Sequence, residues 1–378
     1  MPLPSGRSIV PLVAFAVFSP IALAAQQPQK VKLGAPETEF SESFDHITAL
    51  RELSDGRLIV SDAAAKTISL VDMKRKSVTA IGREGQGPKE FSMPGALLPM
   101  PGDTTFMADF GQQRFLRIAP NGTPVDVVLF PSWLGFGGGG AIAADRNGRI
   151  YAIGQKPPTL GAATATKVDQ DTLPLLRWDR TRKSADTVAW VVDAPMKRVQ
   201  AGNAITVMPV AFGGQDMWSV AADGRLGIAR VADYHVEWLG GAKRVAGAPV
   251  AYDRIKVTSA DKDEIRKQYQ DVANKMTIVG PVPSGTKLPK FQMPVPEFAE
   301  YKAPFISARA TPDGQLWVQR TKNASTGALY DVFDGQGRLI RQVELPKKTR
   351  LAGFGARSMY LARADEDGLE WLGRYPRP

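Results

Sequence analysis

The sequence predicts an all-β fold, a six-bladed β-propeller with one helical insertion between blades four and five, and three observations carry that prediction. The first is a recurring phrase: an Asp-Gly turn or a relative of it, an alternating strand, a short polar loop and a second strand. It begins at Asp55, Gly102, Asn147, Asp223 and Asp313, and a degenerate sixth copy begins at Ala356. The second is spacing, because Gly56, Gly102 and Gly148 recur at 46 residues, close to the length of one four-stranded blade. The third is composition: 36 glycines and 29 prolines among 378 residues indicate many turns between short strands.

Taken in chain order, residues 1–24 form a unit of their own. Arg7 precedes an apolar run from Ile9, and Ala22-Leu23-Ala24 matches the small-x-small pattern of signal peptidase cleavage. The mature chain is therefore expected to begin at Ala25 or Gln26 and to work in the periplasm or beyond it. Pro11 and Pro20 interrupt the run, which is short of the roughly 20 residues that span a bilayer. The chain has no cysteine, so neither a cysteine-linked lipid nor a disulfide is available, and residues 25–378 must be stable through their core alone.

Next comes "KVKLG" from Lys30, strand-like and without an obvious partner. The sixth copy ends after its third strand, at "GLEWLGRY", so pairing between the two ends would complete the last blade and lock the ring. Within the copies, Leu58 and Val60 share one face of a strand and Leu316 and Val318 do the same, the alternation of a half-buried sheet. Two wider gaps interrupt the period. The first holds "KPPTLGAATATKVDQDTLP", a Pro/Thr/Ala-rich loop in blade three. The second holds a helix predicted over residues 259–276, with Ser259 as N-cap, acidic residues in the first turn, and Ile265, Tyr269 and Val272 on one face. A proline-rich linker over residues 280–303 follows it.

Blade two carries a family resemblance. Gly82, Gly85, Gly87, Phe91, Pro94, Asp109, Arg114 and Phe115 fall on the pattern of the NHL repeat: spaced glycines, Phe, Pro, a turn, then Asp followed by Arg and a hydrophobic residue. The chain from Val31 to Tyr375 also resembles exported bacterial six-bladed propellers with a helical insert before the fifth blade. Lys89, where such loops often carry glycine, and Gln112 or Gln113, where Asn is usual, depart from the pattern. The resemblance implies the propeller. Because such propellers include protein-binding scaffolds, sugar-lactone hydrolases and an amidating lyase, it leaves the chemistry open.

The net charge is +10. Basic runs are limited to Lys74 to Lys76 and Lys347-Lys348, so the charge is dispersed, and with export this argues against nucleic acid as a partner. The glycine-rich "GREGQGPKEF", Gly82 to Phe91, is not a phosphate loop, since no helix and no Gly-Lys-Ser/Thr follows; it is expected to connect blades one and two. "FGGGG", Phe136 to Gly140, beside Trp133, suits either the close approach of a ligand or a flexible connection.

For metal chemistry the chain has only His46 and His235, in different blades, and no cofactor is predicted. A calcium site of the lactonase type would need inward carboxylates from several blades, for which Glu52 and Asp62 are candidates without a distinguishing spacing. No Gly-x-Ser-x-Gly elbow is present.

Aligning the copies on their turns places Asp62, Asp109, Gly154, Arg230, Arg320 and Arg363 at the ends of second strands. Loops after second strands share a face with the blade-to-blade connections, so Arg83 and Lys89 of the glycine-rich loop belong to the same rim. Arginines from three consecutive blades suit bidentate binding of a carboxylate, sulfate or phosphate. They equally suit ion pairs with carboxylates of neighbouring loops, such as Asp233 or Asp365. The leading functional reading is an exported soluble binding or interaction module whose rim receives an anionic small molecule, glycan or protein. The alternative is a metal-assisted, lactonase-like hydrolase or lyase acting at the mouth of the central channel.

Overall fold

The computed structural model describes residues 28–134, 142–154, 172–201, 204–275, 293–322 and 326–378. The leader, the FGGGG stretch, the blade-three loop and the first part of the proline-rich linker lie outside the described residues.

Six antiparallel blades follow one another. Blade one is Ile47–Glu52, Leu58–Asp62, Thr67–Asp72 and Ser77–Ala80, and blade two is Pro94–Pro99, Thr105–Asp109, Arg114–Ile118 and Pro124–Leu129. Blade three is Ile142–Ala144, Ile150–Ile153, Thr172–Asp179 and Ser184–Val192; blade four is Met217–Val220, Leu226–Arg230, His235–Gly240 and Lys243–Ala246. Blade five is Phe305–Ala310, Leu316–Arg320, Leu329–Phe333 and Leu339–Glu344. Blade six takes three strands from the C-terminus, Thr349–Phe354, Ser358–Ala364 and Glu370–Pro376.

The N-terminus supplies two strands. β1 (Gln29–Lys32), which contains the "KVK" of the sequence, does not complete blade six; it adds in parallel to the outer strand of blade five, with Val31 opposite Val343. β2 (Thr38–Phe44) closes the ring by pairing with Glu370–Pro376, and its Phe40 is buried between blades six and one. Both edges thus find partners, and the closing strand lies a few residues later than the sequence predicts. The alternating pattern of Thr38–Phe44 is weak, with one buried residue in the middle, whereas "KVKLG" alternates cleanly.

The turns that the repeated phrase marks hold up. In blade one Gly56, at φ +85°, donates its N–H to the Leu53 carbonyl, and Arg57 O accepts from Leu53 N–H in return. The left-handed backbone there is open to glycine at little cost. One difference concerns the strands themselves: Leu58–Asp62 and Thr105–Asp109 are buried at every residue. A blade's second strand has a neighbouring blade on each face, so alternation in the sequence separates two cores instead of core from solvent.

Among the described residues those cores number six, one for each junction between consecutive blades. Phe106 and Phe115 fill the junction of blades two and three, and Trp238, Tyr234 and Phe305 fill that of four and five. Each such side chain contributes about 1.5–3 kcal/mol on burial. Arginines stitch the same junctions through polar contacts: Arg51 of blade one donates to the Thr104 carbonyl of blade two, Arg309 of blade five to Ala352 O of blade six, and Arg350 of blade six to Ile47 O of blade one.

Between blades three and four lies a hairpin, Met196–Ala201 and Ala204–Pro209, which carries no turn phrase in the sequence. The helix α1 (Ser259–Lys275) stands between blades four and five, where the sequence places it. Its cap is Thr258 instead of Ser259: Thr258 Oγ1 accepts the Asp261 N–H while Asp261 Oδ2 accepts the Thr258 N–H. The inward stripe runs Ile265, Tyr269, Ala273, with Ala273 buried and Val272 about half exposed, since a spacing of four keeps that stripe in line. The described part of the proline-rich stretch is tied down. Phe298 bridges Ala211, Tyr301 bridges Lys256, and Ala303 N–H reaches Phe212 O, so the insertions form one cap over the junction of blades four and five.

Candidate functional site

The second strands of the blades end on one side of the ring, and the geometry assigns a partner to each of the charged residues at those ends, Asp62, Asp109, Arg230, Arg320 and Arg363. Asp62 is buried and accepts the N–H groups of Asp45, His46 and Ala65, which fixes the entry to blade one. Asp109 is wholly buried and accepts Ser92 N–H, Met93 N–H and the Gln112 amide, which fixes the entry to blade two. Gln112 also donates to Gly85 O, and Arg114 donates to Gly87 O and Glu90 O. Asp109, Gln112 and Arg114 of blade two therefore clamp the glycine-rich loop, and Gln112 bonds loop and strand end together. A side chain at Gly85 would strike the Glu90 carboxylate. Arg83 is exposed and pairs with Glu90 at 2.7 Å, and Lys89 is exposed beside it.

The three rim arginines are each paired with a carboxylate of a strand or of a strand's entry. Arg230 bonds Asp216 at 2.7 Å, the Trp190 carbonyl at 2.8 Å and Glu237; both carboxylates are buried. Arg320 bonds the fully buried Asp331 at 3.1 Å and lies over the Tyr234 ring. Arg363 makes a bidentate pair with Glu39 of β2 at 3.0 and 3.1 Å. The suggested loop partners do other work: Asp233 bonds His235, and Asp365 accepts the Trp371 indole N–H.

A single register explains two of the pairs. Glu237 stands opposite Ile228 and Asp331 opposite Val318, so each acid lies two residues diagonal to its arginine. In blade six the matching place is Gly373, opposite Leu361, and Arg363 reaches past it to Glu39, which pairs directly with Gly373.

Beside Arg230 and Arg320 the same face opens into a cleft of about 270 Å³ between blades four and five. Its walls are chain neighbours of the ion pairs: Gln215 and Met217 flank Asp216, and Thr321 follows Arg320. Phe212, Phe305 and Ile306 give it an apolar floor, and Ile306 leaves 53% of its surface open. Lys302 reaches it from the cap, bonded to Asp261 at 2.6 Å and placed over the Phe212 ring. That bond holds the Asp261 carboxyl down at about 2. Phe212 has φ +64°, a conformation that an aromatic residue occupies at a cost on the order of 1–3 kcal/mol.

His46 bonds Glu370 at 3.2 Å in blade six, and His235 bonds Asp233, so the histidines do not meet. Among the described residues no group of three or more His, Cys, Asp or Glu side chains converges as a metal set. Glu52 lies against Gly355 and Tyr360, whose hydroxyl is pushed up by burial first and by that carboxylate second. Asp62, on the other rim, is spent on backbone N–H groups.

No family model matches the chain, and no curated protein matches it in sequence. Solved structures do. A protein of Bacteroides fragilis NCTC 9343, provisionally named as exported, aligns with TM-score 0.50 and 12% identity over 93% of this chain and 99% of that one. A member of the DUF4221 family from Bacteroides vulgatus aligns with TM-score 0.51 and 7% identity over 91% and 97%. A gluconolactonase of Xanthomonas campestris aligns with TM-score 0.43 and 10% identity over 90% and 91%. At these identities the first two likenesses concern the fold alone, and the chain is a six-bladed β-propeller.

Proposed function

We propose that the protein is an exported propeller that binds its ligand without transforming it, and that the cleft between blades four and five receives a small molecule with an apolar body and an acidic group. The observation that carries this reading is the exposed Ile306 on the first strand of blade five, facing a cleft into which the cap also places the Lys302 ammonium. Asp261 uses one of the three ammonium donors, so donors remain for an acidic group. Arg230 and Arg320 then act as struts: by holding Asp216 and Asp331 they fix the strands on either side of the opening. Strain at Phe212 supports the same place, since strained backbone persists where the surroundings enforce it, and such positions cluster at binding sites.

Export rests on the leader pattern of residues 1–24. The test uses the full mature chain and the fluorescent probe 8-anilinonaphthalene-1-sulfonate, an apolar ring system with an anionic group. A saturable signal is expected, weakened about tenfold in Ile306→Asn and retained in Arg57→Gln, a change on the opposite face. Equal binding by wild type and Ile306→Asn would overturn the assignment.

A further inference from the structure

The face opposite the rim carries a larger cleft, of about 490 Å³, where the first turns of blades two and three meet the outer turn of blade three. Pro101, Asn147, Arg149, Asp179, Arg180 and Thr181 line it. Its charged groups differ in how far they are already satisfied. Arg149 is bound to the buried Asp145 at 2.6 Å. Asp179 accepts Thr181 N–H at 3.0 Å and Arg182 N–H at 3.1 Å and faces the Arg182 guanidinium at 3.7 Å. Nearby, Arg117 and Asp126 form a bidentate pair.

Arg180 is the exception: among the described residues it has no hydrogen-bond or ion-pair partner. It is half-buried and stacked over the Phe106 ring at 4.4 Å. Its guanidinium is held below the usual arginine value, by burial first and by Arg117 second. The ring on one side fixes the plane of the fork, and the donors on its edge are unspent. The one carboxylate that acts on it, Asp126, is already bonded to Arg117 through both oxygens, and a half-buried cation so poorly compensated is costly; an oxyanion bound bidentately lowers that cost. Neighbouring groups suit such a ligand: the Asn147 amide and the Thr181 hydroxyl sit in the same lining and add neutral hydrogen bonds. The volume is that of a small-molecule pocket.

We infer that this cleft is an oxyanion-binding site in which Arg180, stacked on Phe106, grips a carboxylate, sulfate or phosphate group of a small polar ligand. It is independent of the rim cleft, which lies at the other ends of the strands. The charge that the sequence suggests for the rim is thus available on the opposite side.

The experiment measures melting temperature and binding heat of the full mature chain with citrate, sulfate and inorganic phosphate, each against sodium chloride at equal ionic strength. At least one oxyanion is expected to raise the melting temperature in a saturable way beyond chloride. The oxyanion that binds best names the group: citrate a carboxylate, the others a sulfate or phosphate. Arg180→Gln should weaken binding about tenfold or more, while Arg363→Gln, on the rim, leaves it unchanged. In wild-type protein the Arg180 Nε–H resonance should shift with the same saturation curve, a readout independent of the variant's folding. Equal affinity in Arg180→Gln, or no oxyanion effect beyond chloride together with an unmoved Arg180 resonance, would overturn the inference.

Discussion

Arg230 on the rim and Arg180 on the opposite face are both partly buried arginines beside an aromatic-rich junction, yet their surroundings differ. Arg230 ends a second strand, and the register of the third strand brings Glu237 to its diagonal while the entry to blade four brings Asp216. Arg180 begins an outer turn, where the chain leaves the ladder and no register supplies an acid; it rests on Phe106 instead. A strand end offers fixed diagonal neighbours, so an arginine there becomes part of the frame. An arginine in a turn depends on an acid of the turn itself, which Arg149 finds in Asp145 and Arg182 in Asp179, and which Arg180 does not find. The acid within reach, on the facing strand or in the same turn, thus decides which basic residues of a +10 chain are structural.

The sharpest way to break this comparison is to remove one acid and one arginine. Glu237→Ala strands Arg230 and Arg244 without the carboxylate they share, and the expected loss is about 3–5 kcal/mol in urea unfolding. Arg180→Met, which keeps a flexible apolar chain over Phe106, should change stability by less than about 1 kcal/mol. Equal losses would mean that Arg180 is framework too.

A smaller effect sharpens the gradation along the rim. Arg363 pairs with Glu39 in a more exposed setting, so Arg363→Ala should cost about 0.5–1 kcal/mol. Since Glu39 sits in the closing strand, hydrogen exchange should quicken in Thr38–Phe44 before it does in blade four. Uniform exchange across both would show that this pair does not hold the closure.

The smallest effect belongs to the cap. Asp261 is held at about 2 by Lys302 first, below the ordinary aspartate value. A depressed carboxyl stabilises the fold above its unfolded value and loses that contribution as pH falls through the folded one. Helical signal from α1 should therefore fade between about pH 4 and pH 2, and Asp261→Asn should remove that step. An unchanged titration in Asp261→Asn would place the acid sensitivity elsewhere.

The particular residues show how far the sequence could be read. The glycine turns, the strand ends at Asp62, Arg230 and Arg320 and the pair Asp109 and Arg114 of blade two all follow from short repeats, and the structure keeps them in register. The acid partners were harder to see. Glu237 follows Arg230 by seven residues but Asp331 follows Arg320 by eleven, because the loop between the strands is longer in blade five. Both acids share a place on the facing strand, diagonal to the arginine, but they share no fixed spacing along the chain. Nothing in the sequence announced the hairpin before blade four or the cleft under Lys302, since both depend on segments packed from separate insertions.

The sequence by itself determined the number of blades, the site of each tight turn and the helix between blades four and five. These are local: a glycine at positive φ, an alternating strand and a capped amphipathic segment are each specified within a few residues. Only the tertiary structure decided that Thr38–Phe44 closes the ring while Gln29–Lys32 joins blade five, and which arginines keep a charge to spare. Those outcomes depend on pairings across as many as 324 positions of chain, as between Glu39 and Arg363, where burial and register choose among many acids and strands that look alike in sequence.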